Sequence, residues 1–181
     1  MTPTETLKHE HQVILLALQG AEREADRLAE GFDLVSARVA QMVDFFRNFT
    51  DKCHHAKEEQ HLFPRLEERG LPRTGGPIGV MLHEHEVGRA HVSAVAEAIP
   101  PAESGQAQAR SSLQDNLAAY VALLRAHIDK EDNVLFPMAD QLLTAADQKE
   151  LTEAFEKVEA EEIGEGVHDK YHQLAHELAE G

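Results

Sequence analysis

Apolar residues recur every three or four positions along most of this chain, a spacing typical of amphipathic helices. The clearest apolar stripe runs from Leu113 to Leu135. The alternating Val, Ile and Thr residues that strands require are absent from the sequence. Glycine and proline concentrate at 31–33, 70–77, 100–105 and 164–166, where we expect the helices to break. The predicted helices are therefore 4–30, 33–68, 77–99, 105–142, 145–162 and 167–180.

This pattern predicts an all-α fold. The first four helices, within residues 1–143, are expected to form an up-down four-helix bundle. The last two, within residues 144–181, are expected to form a C-terminal helical extension that packs on the bundle, with Thr144 as the first cap. The extension either covers the bundle or mediates self-association, for example as a homodimer.

Composition excludes several classes of partner. The net charge is −16, from 33 acidic and 17 basic residues, and such a surface repels nucleic acid. The longest apolar run, Val13 to Leu18, is too short to cross a bilayer. The N-terminus has no basic start followed by an apolar stretch, and the single Cys53 excludes an internal disulfide. We therefore expect a cytoplasmic protein with neither a nucleic-acid nor a membrane partner.

Two polar phrases occur twice at nearly the same separation. Residues 54–64 and 127–137 share the frame His-x-x-x-Glu-[Glu/Asp]-x-x-Leu-Phe-Pro, 73 residues apart. The phrase His-Glu-His occupies residues 9–11 and 83–85, 74 residues apart. Eight of the twelve histidines lie in these phrases. The repeat indicates two copies of one helix pair, each of which carries histidine and carboxylate groups.

Helical phase selects one histidine from each His-Glu-His phrase. Residues two apart differ by about 200° around a helix, so both cannot face the core. The apolar stripes include His11 and His85, which leaves His9 and His83 exposed or one layer further out.

Helical phase predicts that the His-x-x-x-Glu phrase faces the core in only one of its two copies. His127 and Glu131 lie on the apolar stripe of the fourth helix. His54 and Glu58 lie at the edge of the stripe of the second helix, so the repeat, rather than the phase, predicts that they face the core.

The His-x-x-x-Glu spacing presents an imidazole and a carboxylate one turn apart on the same face of a helix. Two such helices and two further histidines give four imidazoles and two carboxylates able to bridge two metal ions. This ligand set suits iron or manganese, and the lack of thiolate clusters argues against structural zinc. Burying these carboxylates without a cation would be unfavourable. The predicted metal ligands are His11, His54, Glu58, His85, His127 and Glu131.

These motifs, in this order over residues 5–142, resemble the bacterial type of the hemerythrin-like family, also called the HHE cation-binding domain. The resemblance implies a four-helix bundle that holds two iron ions joined by an oxo or hydroxo bridge. It also implies that the iron pair binds or reacts with dioxygen, peroxide or nitric oxide, in oxidative or nitrosative stress handling that includes catalase-like turnover. Whether the chain is an enzyme stays open.

The chain departs from the oxygen-carrying hemerythrins at two places. Those proteins have a second histidine one turn after the third-helix ligand, where this chain has Arg89. Their last carboxylate is an Asp five residues after its His, a place taken here by Asp132, and we prefer Glu131 because it matches Glu58 in the repeat. One imidazole fewer disfavours reversible oxygen carriage and favours turnover, sensing or iron handling.

Alternative functions remain. The chain could be an oxygen or iron sensor, or an iron-storage protein without turnover, and a metal-free helical interaction domain is the simplest alternative. A ferritin-like protein would carry Glu-x-x-His on two helices of the bundle, but residues 58–61 have no second copy at a corresponding position, so this alternative is disfavoured. Four further residues could complete the coordination, although packing or indirect contact is favoured for each: Tyr171, His168, His55 and Glu59.

Overall fold

The computed structural model describes residues 1–164 and 166–181, with every side chain in these ranges except that of Glu162. This part of the chain forms six helices and contains no strand. The helices are α1 Pro3–Ala29, α2 Ser36–Glu68, α3 Pro77–Glu103, α4 Ala107–Leu142, α5 Ala145–Ile163 and α6 Val167–Glu180. The predicted all-α bundle with two additional C-terminal helices is therefore confirmed.

The bundle core consists of two apolar clusters with a polar layer between them. One cluster contains Ile14, Phe49 and Leu124, and the other contains Leu7, Phe63 and other residues from the opposite ends of the same helices. On all four bundle helices, buried histidine or glutamate residues lie in sequence between the residues of the two clusters. The apolar clusters thus enclose the polar layer from both ends of the bundle.

Helices α2 and α4 each widen into a π-helical turn before the Leu-Phe-Pro sequence, at Glu58–Leu62 and Glu131–Leu135. In both turns the N–H that precedes the proline donates to the carbonyl five residues earlier. Pro64 and Pro137 lack an N–H, and the proline ring clashes with the carbonyl four residues before it, so a wider turn relieves the conflict. The repeated Leu-Phe-Pro sequence therefore shapes the helix where the predicted bridging carboxylates lie.

Helix α2 contains a further π-helical segment, Phe46–His55. A wider turn changes the angle between successive side chains, so residues that a regular helix would direct to different sides can share one. In this segment the adjacent residues Cys53, His54 and His55 are all buried. Burial raises the pKa of the Cys53 thiol to about 12, so it stays protonated, as expected of a packing residue.

The C-terminal helices are fixed to the bundle by polar contacts at their ends. Asp147 forms a capping box with Thr144 at the start of α5, and Arg69, which directly follows α2, donates to Asp147 at 2.8 Å. At the end of α6, Arg23 and Arg38 donate to carbonyl oxygens that have no partner within the helix, at 2.7 and 2.8 Å. The expected division of the chain at residue 143 into a bundle and an extension remains a prediction.

None of the helices in the described ranges is both long enough and apolar enough to span a membrane.

The contact between α1 and α6 generates a prediction about Gly20. A methyl group on Gly20 would lie 2.7 Å from the carbonyl carbon of Leu178 in α6. In a helix interior, alanine is more favourable than glycine by about 1 kcal/mol. Because the added methyl group would overpack the contact with α6, we nevertheless expect Gly20→Ala to lower the free energy of unfolding by about 1–3 kcal/mol. Urea unfolding of the metal-free protein measures the change.

Gly88→Ala is the matched control, because its methyl group would meet its nearest neighbour, Tyr120, at 3.4 Å, an ordinary contact. This variant should equal or exceed the wild-type stability. Equal stabilisation by both substitutions would contradict close packing of α6 on α1.

Candidate metal centre

All six predicted ligands lie in the polar layer at the centre of the bundle. Each of them is at most 1% exposed. Helix α1 supplies one ligand, α2 two, α3 one and α4 two. They are His11, His54, Glu58, His85, His127 and Glu131.

The four histidines form two pairs whose Nε2 atoms face each other. The Nε2 atoms of His11 and His54 are 3.0 Å apart, and those of His85 and His127 are 3.1 Å apart. Each pair combines histidines from two different helices, so the two pairs together join all four helices of the bundle.

Two carboxylates lie between the pairs, and each extends one oxygen towards either pair. The Glu58 oxygens lie 3.6 Å from Nε2 of His54 and 3.3 Å from Nε2 of His85. The Glu131 oxygens lie 3.1 Å from Nε2 of His11 and 3.2 Å from Nε2 of His127. Both carboxylates are therefore oriented to bridge two metal positions, one beside each imidazole pair.

The outer nitrogen of each imidazole faces a second carboxylate. Asp132 accepts from Nδ1 of His11 at 2.7 Å, and Glu59 accepts from Nδ1 of His85 at 2.7 Å. For the other two histidines, Nδ1 of His54 donates to Glu10 at 2.9 Å, and Nδ1 of His127 lies 3.6 Å from Glu84. Such carboxylates orient ligating imidazoles and raise their basicity.

The sequence repeat appears in the structure as an approximate two-fold symmetry of these contacts. The middle glutamate of each His-Glu-His phrase faces the histidine of the His-x-x-x-Glu phrase in its own repeat. The residue after each central glutamate, Glu58 or Glu131, faces the buried histidine of the His-Glu-His phrase in the other repeat. The lysine before each bridging glutamate also has an equivalent role. Lys57 donates to Glu10, and Lys130 donates to Glu84.

Comparison with known proteins agrees with this geometry. The hemerythrin HHE cation-binding domain model matches residues 2–139. This chain belongs to the hemerythrin HHE family. An uncharacterized protein of Mycobacterium tuberculosis is 28% identical over 165 residues, which cover 91% of this chain and 64% of that protein.

Iron-sulfur cluster repair proteins named YtfE also match part of this hemerythrin-like chain. The YtfE of Edwardsiella ictaluri is 31% identical over 105 residues, which cover 56% of this chain and 46% of that protein. The YtfE of Pectobacterium carotovorum is 33% identical over 90 residues, covering 48% and 40%. The chain thus spans less than two thirds of the length of these relatives. No solved structure gives a significant match.

The polar atoms at the centre fit the bound cations of an HHE domain. A neutral imidazole whose Nδ1–H donates to a carboxylate has a bare lone pair on Nε2. Two such lone pairs 3.0 Å apart, as in His11 and His54, repel unless a proton or a metal ion lies between them. Nitrogen ligands that bind one metal at about 2.1 Å and at right angles lie about 3.0 Å apart. The observed spacing is therefore that of two ligands on one metal.

The central carboxylates are also short of hydrogen bonds from the described residues. Among the residues that the structure describes, none donates a well-formed hydrogen bond to any of the four oxygens of Glu58 and Glu131. Buried carboxylate oxygens normally accept several hydrogen bonds or bind a metal. Metal ions beside the two imidazole pairs would satisfy all four oxygens.

The pKa values show how the metal-free site would offset the buried negative charge of its two central carboxylates. Burial and the adjacent Glu131 carboxylate raise the pKa of Glu58 well above its ordinary value. Burial alone would also raise the pKa of Glu131, but contacts with His127 and His11 hold it well below the ordinary range. Without metal, protons therefore replace part of the missing positive charge.

Other histidines near the centre differ in position. His9 and His83 are exposed. His55, by contrast, is buried, and its ring stacks on His85 at 3.8 Å. Its burial coincides with the π-helical segment of α2, which the spacing of apolar residues did not reveal.

The remaining candidates from the sequence lie elsewhere. Glu59 contacts Nδ1 of His85, as described above, so it faces the outer side of that ring. Tyr171 belongs to the apolar cluster that contains Ile14, beyond the polar layer, and its hydroxyl donates to Asp44 at 3.1 Å. His168 lies beside Glu10 and Glu159, outside the central six. Sequence analysis also missed the roles of Glu10, Glu84, Lys57 and Lys130, although all four lie within the repeated phrases.

A cavity of about 220 Å³ opens beside the centre. Its lining includes His55, His85, Arg89 and Tyr120. The cavity thus places open space beside the rings of His55 and His85.

The unpartnered carboxylates generate a prediction for Glu58→Gln in metal-free protein. An acid whose pKa is raised by folding destabilises the folded state once the pH exceeds its unfolded pKa, near 4.5. We therefore expect the variant to unfold with a free energy about 1–4 kcal/mol higher than wild type at pH 7, a gain that shrinks towards pH 4.5. Urea unfolding at several pH values measures it.

The same variant should retain metal more weakly than wild type, because an amide is a poorer bridging ligand than a carboxylate. Glu86→Gln, at an exposed position, is the control and should change neither property. Loss of metal-free stability in Glu58→Gln would indicate that Glu58 has a structural role instead.

Proposed function

We propose that the chain holds two iron ions at this centre and that they bind or react with dioxygen, peroxide or nitric oxide during oxidative or nitrosative stress. The observation that carries the proposal is the pair of facing imidazole pairs with two carboxylates between them. The proposed ligands are His11, His54, Glu58, His85, His127 and Glu131.

Iron is favoured by the nature of the donors. Imidazole and carboxylate groups with open coordination positions suit non-haem iron, and the only cysteine, Cys53, is a protonated buried thiol. When bound, an iron pair supplies one-electron redox chemistry and open positions for a small ligand.

The chain's own residues would hold and control this pair. Glu10, Glu59, Glu84 and Asp132 fix the orientation of the imidazole rings, and the two apolar clusters keep bulk water away from the centre. The cavity beside His85 has room for a diatomic molecule or peroxide. The likeness to proteins named for iron-sulfur cluster repair favours a stress-related use of the metal.

A second function, sensing without turnover, is favoured by one contact. Lys57 is completely buried and donates both to Glu10, which faces the ring of His54, and to Glu159 of α5 at 2.6 Å. Lys57 thus connects the proposed centre to α5. A change in the ligand state of the metal could reach the surface of α5 by this path.

Metal analysis tests the proposal. Protein grown in iron-replete medium should contain two iron ions per chain. Glu58→Ala and Glu131→Ala should each lose iron, since either change removes a bridging ligand, whereas His9→Ala, at an exposed position, should retain both ions. A fully helical protein that contains only zinc, or no metal, would contradict the proposal.

Addition of peroxide separates turnover from passive binding. If the centre turns over peroxide in a catalase-like reaction, the wild type should evolve oxygen and Glu131→Ala should not. Absence of oxygen evolution, together with a change in the optical spectrum on exposure to nitric oxide, would favour the sensor.

A further inference from the structure

Three positions near the centre break the internal two-fold repeat. They lie on one side only, around the His85 and His127 pair. The repeat would place apolar residues at all three, as it does in the other copy. His55, Asp51 and Arg89 correspond to Ile128, Leu124 and Leu15.

His55 lies buried beside the pair formed by His85 and His127, with its ring stacked on that of His85. It is 4% exposed, its Nδ1 lies 3.4 Å from a carboxylate oxygen of Asp51, and its Nε2 has no hydrogen-bond partner within the described ranges. One of its ring nitrogens lies within 4.8 Å of possible ligand atoms of Glu58, His85 and His127. All five central imidazoles therefore have a carboxylate near Nδ1.

Arg89 fixes the carboxylates that face two of these rings. Its Nε donates to Asp51 at 2.8 Å, and its Nη2 donates to Glu59 at 2.7 Å. Asp51 faces His55, and Glu59 accepts from His85. Arg89 thus supports the rings of His55 and His85 from outside the centre.

We propose that His55 is a third imidazole ligand for the metal ion held by His85 and His127. This inference rests on the proposed function. The chain would replace the imidazole that is missing at position 89 with one from the neighbouring helix α2. The metal beside His85 would have three imidazoles and two carboxylates, and the metal beside His11 would have two of each.

Packing alone does not account for a histidine at this position. The equivalent position in the other repeat is filled by Ile128, which is 4% exposed, so an apolar side chain suffices there. A buried imidazole nitrogen without a partner is unfavourable unless something binds it. Metal ligation at Nε2 accounts both for the residue type and for the absence of another partner among the described residues.

The variant His55→Ile tests the proposal, because it gives both halves of the centre the same residue. The measurement is Mössbauer spectroscopy of protein loaded with ⁵⁷Fe, with iron release to a chelator as a second readout. Wild type should show two distinct iron environments, and His55→Ile should show two iron ions in nearly one environment. Iron release should become about tenfold faster or more, since even indirect contacts to a ligand commonly change metal affinity by that factor.

Ile128→Val is the matched control at the repeat-related position and should keep two environments and the wild-type release rate. His55→Ala provides a second test that does not depend on accommodating isoleucine. Its spectrum should return towards that of wild type when imidazole is added to the solution, because the vacated space admits a free ligand.

The outcomes separate this inference from the proposed function. Two iron ions in wild type, with unchanged spectra and release rates in His55→Ile and no effect of imidazole on His55→Ala, would overturn the role of His55 and leave the iron pair intact. A wild-type protein without two iron ions would overturn both.

Discussion

Glu58 and Glu131 impose the main constraint on this protein, because their four oxygens are buried at the centre of the bundle and accept no well-formed hydrogen bond from any residue that the structure describes. Such groups require positive charge nearby. Four helices direct imidazole nitrogens towards them, and a surrounding ring of carboxylates and cations orients the imidazoles. Apolar clusters lie on either side of the arrangement, along the axis of the bundle. The carboxylates that would bind metal thus lower the stability of the metal-free fold.

An internal repeat builds most of this arrangement with few kinds of residue. Each copy supplies two of the four paired histidines, one of the two central glutamates, and two further carboxylates, one of which faces a histidine of its own copy and the other a histidine of the second copy. The Leu-Phe-Pro sequence after each bridging glutamate forces a wide helical turn at the same place in both copies. The departures from symmetry, at Asp51, His55 and Arg89, gather on the side where the cavity opens. The residues that the two copies share would hold the two metal ions, and the residues that differ between the copies would give the two ions different surroundings.

Much of this could be predicted from the sequence, and the limits have physical causes. The apolar stripes predicted six helices. The repeated phrases, together with helical phase for His11 and His85, predicted which six side chains meet. Helical phase failed for α2, because the π-helical segment Phe46–His55 rotates adjacent residues to the same side. It therefore placed His54 only at an edge and gave no reason to bury His55. The pairing of Glu10 with His54, or of Glu59 with His85, depends on how the helices pack. The spacing of apolar residues along the chain does not predict that packing.

The account depends on two metal positions, one beside each imidazole pair. Anomalous X-ray diffraction at the iron absorption edge, from crystals of the iron-loaded protein, tests this most directly. The account predicts two peaks within the bundle, one between His11 and His54 and one beside His85 and His127, with Glu58 and Glu131 in contact with both. A single peak, or peaks only outside the central layer, as at Glu10, Glu159 and His168, would contradict it.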